Sequence, residues 1–259
     1  MASEILFLCL GLTGGFVSGL LGIGGALIII PLLLYAPPCF GIAPLSMHEV
    51  SGLSMIQVFF AALSGSVRHW KNHTVSVGLL WRLGLPFSLS TMAGAVLSSA
   101  ISGPHLTLVF GCLTLSAAFL MLFPRRKHRE NDDTDAPVYS HAWLEVMSGI
   151  SIGLISGLVG VGGGFILIPL MLHVLKVPLR TAVGTSLAIV LFGSVSGAVG
   201  KIATDQIAWL PALALVLGTI PAAQAGALVN ATLPDQRLRQ ALFCVVVLTT
   251  LQVWYKILS

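Results

Sequence analysis

Charge is what this sequence has least of. Only 8% of its 259 residues are Asp, Glu, Lys or Arg, against about a quarter in a soluble globular domain. That shortage, with 56% hydrophobic residues and a mean hydropathy of +0.97, excludes a water-soluble fold and leaves an integral membrane protein. The side-chain groupings of catalysis are also lacking. No Ser/His/Asp arrangement, HExxH, Walker loop or metal-spaced cluster occurs, so neither an enzyme nor a cofactor or metal is expected. The four cysteines, Cys9, Cys39, Cys112 and Cys244, have no CxxC spacing, and buried thiols are the expectation. The net charge is +4, but the basic residues lie between apolar runs, where membrane topology places them. Nucleic acid is therefore not an expected partner; the lipid bilayer is.

What is abundant is long apolar sequence. Breaks at 36–39, 68–73, 102–105, 124–137, 176–178, 201–206 and 233–237 divide it into eight segments, roughly 4–36, 45–67, 75–101, 105–123, 141–175, 179–200, 206–231 and 236–257. The fold class expected is an all-α polytopic membrane protein of about eight transmembrane segments, with no separate soluble domain. The first run is too long for a signal peptide and lacks a basic start, so it is read as retained structure.

The halves resemble each other. GFVSGLLGIGGALIIIPLLL (15–34) and GLISGLVGVGGGFILIPLML (153–172) agree at twelve of twenty positions. At an offset of 132, Gly52 pairs with Gly184, Ser54 with Ser186, Ser64-Gly65 with Ser196-Gly197, Gly94 with Gly226 and Cys112 with Cys244. This is an internal duplication of a four-segment unit. The one hydrophilic insertion, RRKHRENDDTD at 125–135, falls near the midpoint. It separates a first membrane repeat (1–123) from a second (141–259) by a charged linker (124–140) that its basic residues assign to the cytoplasm.

Segments one and five are too long. At about 1.5 Å per residue, more than 30 residues exceed a hydrocarbon core of roughly 30 Å, so each must tilt, break or turn back. The glycines Gly22, Gly24 and Gly25, and Gly160, Gly162, Gly163 and Gly164, mark the place. Glycine takes φ > 0 readily and weakens a helix by about 1 kcal/mol per residue. Broken backbone survives at membrane depth only inside protein or along a watery cavity, and two breaks at matching positions point to a transport site. If each segment crosses once, the chain has eight spans, with the amino terminus, the basic loops, Lys201 and Lys256 on the cytoplasmic side. If each folds back as a re-entrant hairpin, the repeats are inverted and the basic loops join Lys176, Arg180, Arg237 and Arg239. The second has the stronger basic bias, but residues 26–36 are short for a crossing, so eight spans are expected.

A new helix starting near Gly25 or Ala26, and another near Gly164 or Phe165, would present free N–H groups and the positive end of its dipole. Together these make an anion cradle without a charged side chain. Ser18 and Ser156, one turn earlier, and Ser54, Gln57, Ser64, Thr185, Ser186 and Ser196 on following helices are the candidate hydroxyl and amide donors. Gly15-x-x-x-Gly19, Ser18-x-x-x-Gly22, Gly153-x-x-x-Gly157 and Ser156-x-x-x-Gly160 also fit close helix packing, which needs no ligand. Packing is the expectation for the earlier glycines, and a functional break for Gly24-Gly25 and Gly162-Gly163-Gly164. His48 and Glu49 are expected to cap segment two, Arg82 to snorkel, and Lys201 and Asp205 to lie solvated in a loop.

The duplicated G-x-x-S-G-L-x-G-x-G-G-x-x-x-x-x-P, together with AVGTSL at 182–187, resembles the TauE/SafE sulfite exporter family along the whole chain. GlyThrSer at 184–186 has GlyLeuSer at 52–54 as its counterpart, so the two halves need not bind alike. The resemblance implies secondary transport, chiefly export, of small sulfur-containing anions such as sulfite, sulfonates or sulfoacetate, by alternating access of two halves in a cell inner membrane. An inside-negative potential favours anion export by about 2.3 kcal/mol per charge per 100 mV. The alternative is a membrane scaffold or biogenesis subunit whose glycines serve packing only. Homo-oligomerisation is left open by the sequence.

Overall fold

A computed structural model describes residues 2–22, 24–71, 75–122 and 142–258. The charged stretch 125–135 therefore lies outside the described residues, which contain helices and no strand. The helices are α1 (Ala2–Leu21), α2 (Ala26–Cys39), α3 (Met47–Lys71), α4 (Val77–Ala100), α5 (Gly103–Leu122), α6 (Ala142–Val159), α7 (Gly164–His173), α8 (Leu179–Ala203), α9 (Trp209–Thr232) and α10 (Asp235–Leu258). The eight apolar segments give ten helices because segments one and five each hold two. Within α4 the stretch Leu80–Gly84 is π-helical. Pro86 has no N–H to give to the carbonyl of Arg82, and the wider turn accommodates that loss.

Among the described residues six helices, α1, α4, α6, α8, α9 and α10, are long and apolar enough to cross a membrane. Their outward faces are apolar too: Trp81, Leu89, Trp143, Leu217 and Leu248 are all exposed. A protein in water does not cover itself with such groups, whereas lipid accepts them. The core instead gathers on α3, α7 and α8, where Val58, Phe165, Leu167, Ile189 and Val190 are buried.

Glycines set how closely the helices approach. Gly11, Gly15 and Gly19 of α1 stand against the backbone of Leu215, Thr219 and Ala223 of α9, and Gly149, Gly153 and Gly157 of α6 stand against Leu83, Phe87 and Thr91 of α4. The contacts are returned by Gly218 and Gly226 of α9, facing Leu8 and Phe16, and by Gly94 of α4, facing Leu154. Lipid tails are as apolar as leucine, so close backbone approach rather than hydrophobic exclusion joins these helices. The early glycines thus have the packing role expected of them.

The chain reverses at the later glycines. Gly22, Gly24 and Gly25 have φ of 71°, 79° and 76°, and Gly160, Gly162 and Gly163 have 79°, 69° and 73°. After the first break α2 lies back against α1, with Gly25 beside the Gly14 carbonyl and Ser18, and Ile29 beside Gly14. On a straight continuation Ile29 and Gly14 would be about 22 Å apart. Gly163 returns to Ser156 in the same way.

Three further expectations meet differences. All four cysteines are exposed, because apolar surroundings in sequence fix membrane depth but not which face of a helix a residue occupies. Lys201 is not in a loop: it lies in the last turn of α8 and is 0% exposed, while Asp205 beyond it is exposed. Glu49 does cap α3, accepting from the N–H and hydroxyl of Ser46 at 2.8 Å each, a reciprocal box. His48 turns away from that cap to the carbonyls of Ser98 and Ile101, at 3.2 and 3.0 Å, tying the start of α3 to the end of α4.

Candidate functional site

Each break ends in an uncapped helix start. Gly25 precedes α2 and Gly163 precedes α7, both left-handed, and no side chain caps either helix. The first N–H groups, from Ala26 and from Gly164 onward, have no intrahelical partner. A residue with a side chain would add about 1–2 kcal/mol of strain in this left-handed conformation.

The two breaks stand back to back. A Cβ on Gly24 would lie 3.2 Å from Val58 and 3.3 Å from Val190, and one on Gly162 would meet the same two side chains at 2.5 and 3.3 Å. Val58 of α3 and Val190 of α8 therefore form a partition between them. Beyond it, Gly22 meets Val183 near the start of α8, and Gly160 meets Ser51 near the start of α3. These contacts require α3 and α8 to run past the partition in opposite directions.

The polar surroundings of the breaks differ. At the first, Gln57 and Ser18 are 0% exposed, and neither the two amide atoms of Gln57 nor the Ser18 hydroxyl has a partner among the described residues. Gln57 Nε2 is 2.9 Å from where a Cβ on Gly25 would sit, so the amide is aimed at the start of α2. At the second break the Ser156 hydroxyl is likewise buried and unpartnered, but the Phe87 ring closes on Gly163 at 2.8 Å from its Cβ position. The counterpart of Gln57 at the 132 offset is Ile189, buried and apolar.

Other candidates have different tasks. The Ser54 hydroxyl donates to the Gly160 carbonyl at 2.8 Å and pins the second break. Thr185 accepts the Ser76 N–H at 2.9 Å, tying α8 to the start of α4, and Ser186 donates to its own helix at Val183, 3.0 Å away. Ser64 donates to the Ile220 carbonyl, and Ser196 pairs with Ser88. All five make these bonds to groups other than the start of α2.

Sequence reasoning missed three residues. Ser51, buried and with an unpartnered hydroxyl, stands beside Gly160. Glu145 is buried in the first turn of α6; an isolated acid in an apolar segment was its signal. The Lys201 ammonium donates to Ser98 Oγ at 2.6 Å, Gln206 Oε1 at 2.9 Å and the Leu158 carbonyl at 3.4 Å. Leu158 is next to last in α6, so the cation sits at the negative end of that helix, at the foot of the second break. The matching carbonyl at the end of α1, that of Leu20, receives the Asn230 amide at 2.6 Å. Ser98 and Asn230 are themselves 132 apart, so the duplicated register held the signal for this pair.

The uncapped, paired breaks follow the duplicated motif, and the same motif lies inside the match to a family model. The model of the sulfite exporter TauE/SafE matches residues 7–253. The chain belongs to the TauE/SafE family. Among its relatives are a probable membrane transporter protein of Xylella fastidiosa (strain 9a5c), 31% identical with 88% of this chain and 86% of the relative covered, and the probable membrane transporter protein YunE of Bacillus subtilis (strain 168), 26% identical with 98% of each covered. No solved structure matches the chain significantly. This TauE/SafE protein is accordingly a multi-pass membrane transporter and not an enzyme.

Proposed function

We propose that the protein is a secondary transporter of small sulfur-containing anions, such as sulfite, sulfonates and sulfoacetate, exporting them across a cell inner membrane. The anion is held at broken-helix N-termini between the repeats 1–123 and 141–259. One observation carries this reading: a buried, unpartnered Gln57 amide and Ser18 hydroxyl aimed at the uncapped start of α2. Helix starts bind anions through N–H groups and dipole without a full charge, and paired broken helices are where transporters place their sites. The scaffold alternative accounts for Gly11, Gly15, Gly19 and their counterparts in α6, but not for seven positive-φ glycines of which six lie at the breaks.

The reversal of the chain favours inverted repeats. With α2 and α7 as re-entrant arms, each repeat makes an odd number of passages and the second enters from the opposite side. Helices α3 and α8 then pass the Val58–Val190 partition antiparallel, and rocking of one repeat against the other exposes the breaks to either side in turn.

The test is flux of radiolabelled sulfite and 2-hydroxyethanesulfonate from proteoliposomes. Saturable flux in the natural protein, lost in Gly24→Leu and Gly162→Leu variants that still purify as monodisperse protein, is the expected result. Unchanged flux in those variants would remove the site from the breaks.

A further inference from the structure

The first break says more than that an anion binds. Gln57 offers a donor and an acceptor whichever way its amide is turned, and both are buried without a partner among the described residues. The open backbone groups beside it are the N–H donors that start α2; the nearby Gly14 carbonyl is a mid-helix acceptor that faces the Ser18 N–H within α1. A ligand that only accepts would satisfy those groups, Gln57 Nε2 and Ser18, and leave Gln57 Oε1 facing another acceptor. A buried acceptor without a donor keeps its whole desolvation penalty. A ligand with an anionic head and a hydrogen-bond donor of its own satisfies both ends of the amide.

Charge narrows the choice again. Among the described residues Lys201 is the one buried lysine or arginine, and its three donors are taken by Ser98, Gln206 and Leu158. The start of α2 contributes roughly half an elementary charge. That suits one negative charge, and two would remain largely uncompensated in the interior. The second break offers no equivalent amide, since Ile189 stands at the position matching Gln57 and Phe87 covers Gly163.

Resting on the transport reading, we propose that the chain carries one substrate site, at the first break, and that it selects singly charged anions keeping a hydrogen-bond donor. Hydroxyalkyl sulfonates and hydrogensulfite fit; doubly charged or donor-free anions do not, which narrows the class proposed above and removes sulfoacetate from it. Gln57 is the specificity-determining residue.

The test compares 2-hydroxyethanesulfonate with propane-1-sulfonate, which puts a methyl group where the first has its hydroxyl, by calorimetry on the purified full chain. One hydroxylated ligand per chain, bound at least about tenfold more tightly, is expected, since the analogue leaves Oε1 unpaired. Gln57→Met should bring the two within about threefold of each other. If that variant does not fold, the natural protein still decides: its affinity for sulfite should fall as pH rises and hydrogensulfite loses its proton. Equal binding of the sulfonate pair, two ligands per chain, or sulfite affinity that rises with pH would overturn the proposal. Liposome flux without preference between the pair defeats the selectivity but leaves the transport reading standing; neither flux nor binding defeats both.

Discussion

A glycine in this protein does one of three jobs, and its surroundings tell which. At Gly25 an added Cβ would lie 2.6 Å from the Gly14 carbonyl and 2.9 Å from Gln57, at a φ of 76°. Gly25→Ala should therefore cost about 2 kcal/mol or more from backbone strain alone, lowering the melting temperature and abolishing flux. Gly78, in the first turn of α4, meets nothing within 4 Å. Gly78→Ala should be neutral or stabilising by up to about 1 kcal/mol, so the melting temperatures of the two variants should move apart. The third job is that of Gly19, where the Ala223 carbonyl occupies the space of any side chain. Much of this was legible: the spacing marked the packing glycines and the clustering marked the breaks. What the sequence did not reveal is which polar residue faces which glycine. Ser54 is bonded to the second break at Gly160, whereas Thr185 and Ser186, in the matching motif, bond to Ser76 and Val183.

At the scale of elements, each broken helix has its last carbonyls held from another helix. Asn230 of α9 does this for α1, and Lys201 of α8 does it for α6. Lys201 also binds α4 through Ser98 and the loop that leads to α9 through Gln206, so one ammonium joins three helices and that loop. Lys201→Met leaves the Leu158 carbonyl and the Gln206 amide without that donor, and should destabilise by about 2 kcal/mol. Hydrogen exchange should rise at 158–164. Asp205→Asn, at an exposed position, is the control and should change neither quantity. The sequence hid this element because Lys201 follows a long apolar run, where a cation reads as the solvated end of a helix. Only tertiary contact decides whether it bends inward.

For the whole molecule, the reversal at the glycines has consequences for sidedness. If α2 and α7 are re-entrant, the loops at 72–74, 174–178 and 233–234 share a side with the linker 124–140, whereas both termini lie opposite. The positive-inside rule places the linker in the cytoplasm, so the termini should be outside. Fusing a reporter active only outside the cytoplasm to Ser259 should give signal, and inserting it at 130 should give none. The reverse pattern at Ser259 would restore single crossings by segments one and five. The all-helical membrane character could be read from sequence because hydropathy is a local property. Direction could not, because it depends on what two glycine-rich stretches, GIGG at 22–25 and GVGG at 160–163, do to the chain in three dimensions.

The outward-facing cysteines also bear on how the protein survives oxidation. Cys9, Cys112 and Cys244 lie on the apolar helices α1, α5 and α10 and are exposed. Hydrocarbon keeps water-borne oxidants and metal ions away from a thiol, and access governs its oxidation. Acyl chains thus do for these sulfurs what a core does in a soluble protein, and they do so only while the bilayer is present. Extraction into detergent exchanges that shield for a thin, fluid one, so a reducing agent belongs in every buffer from solubilisation onward.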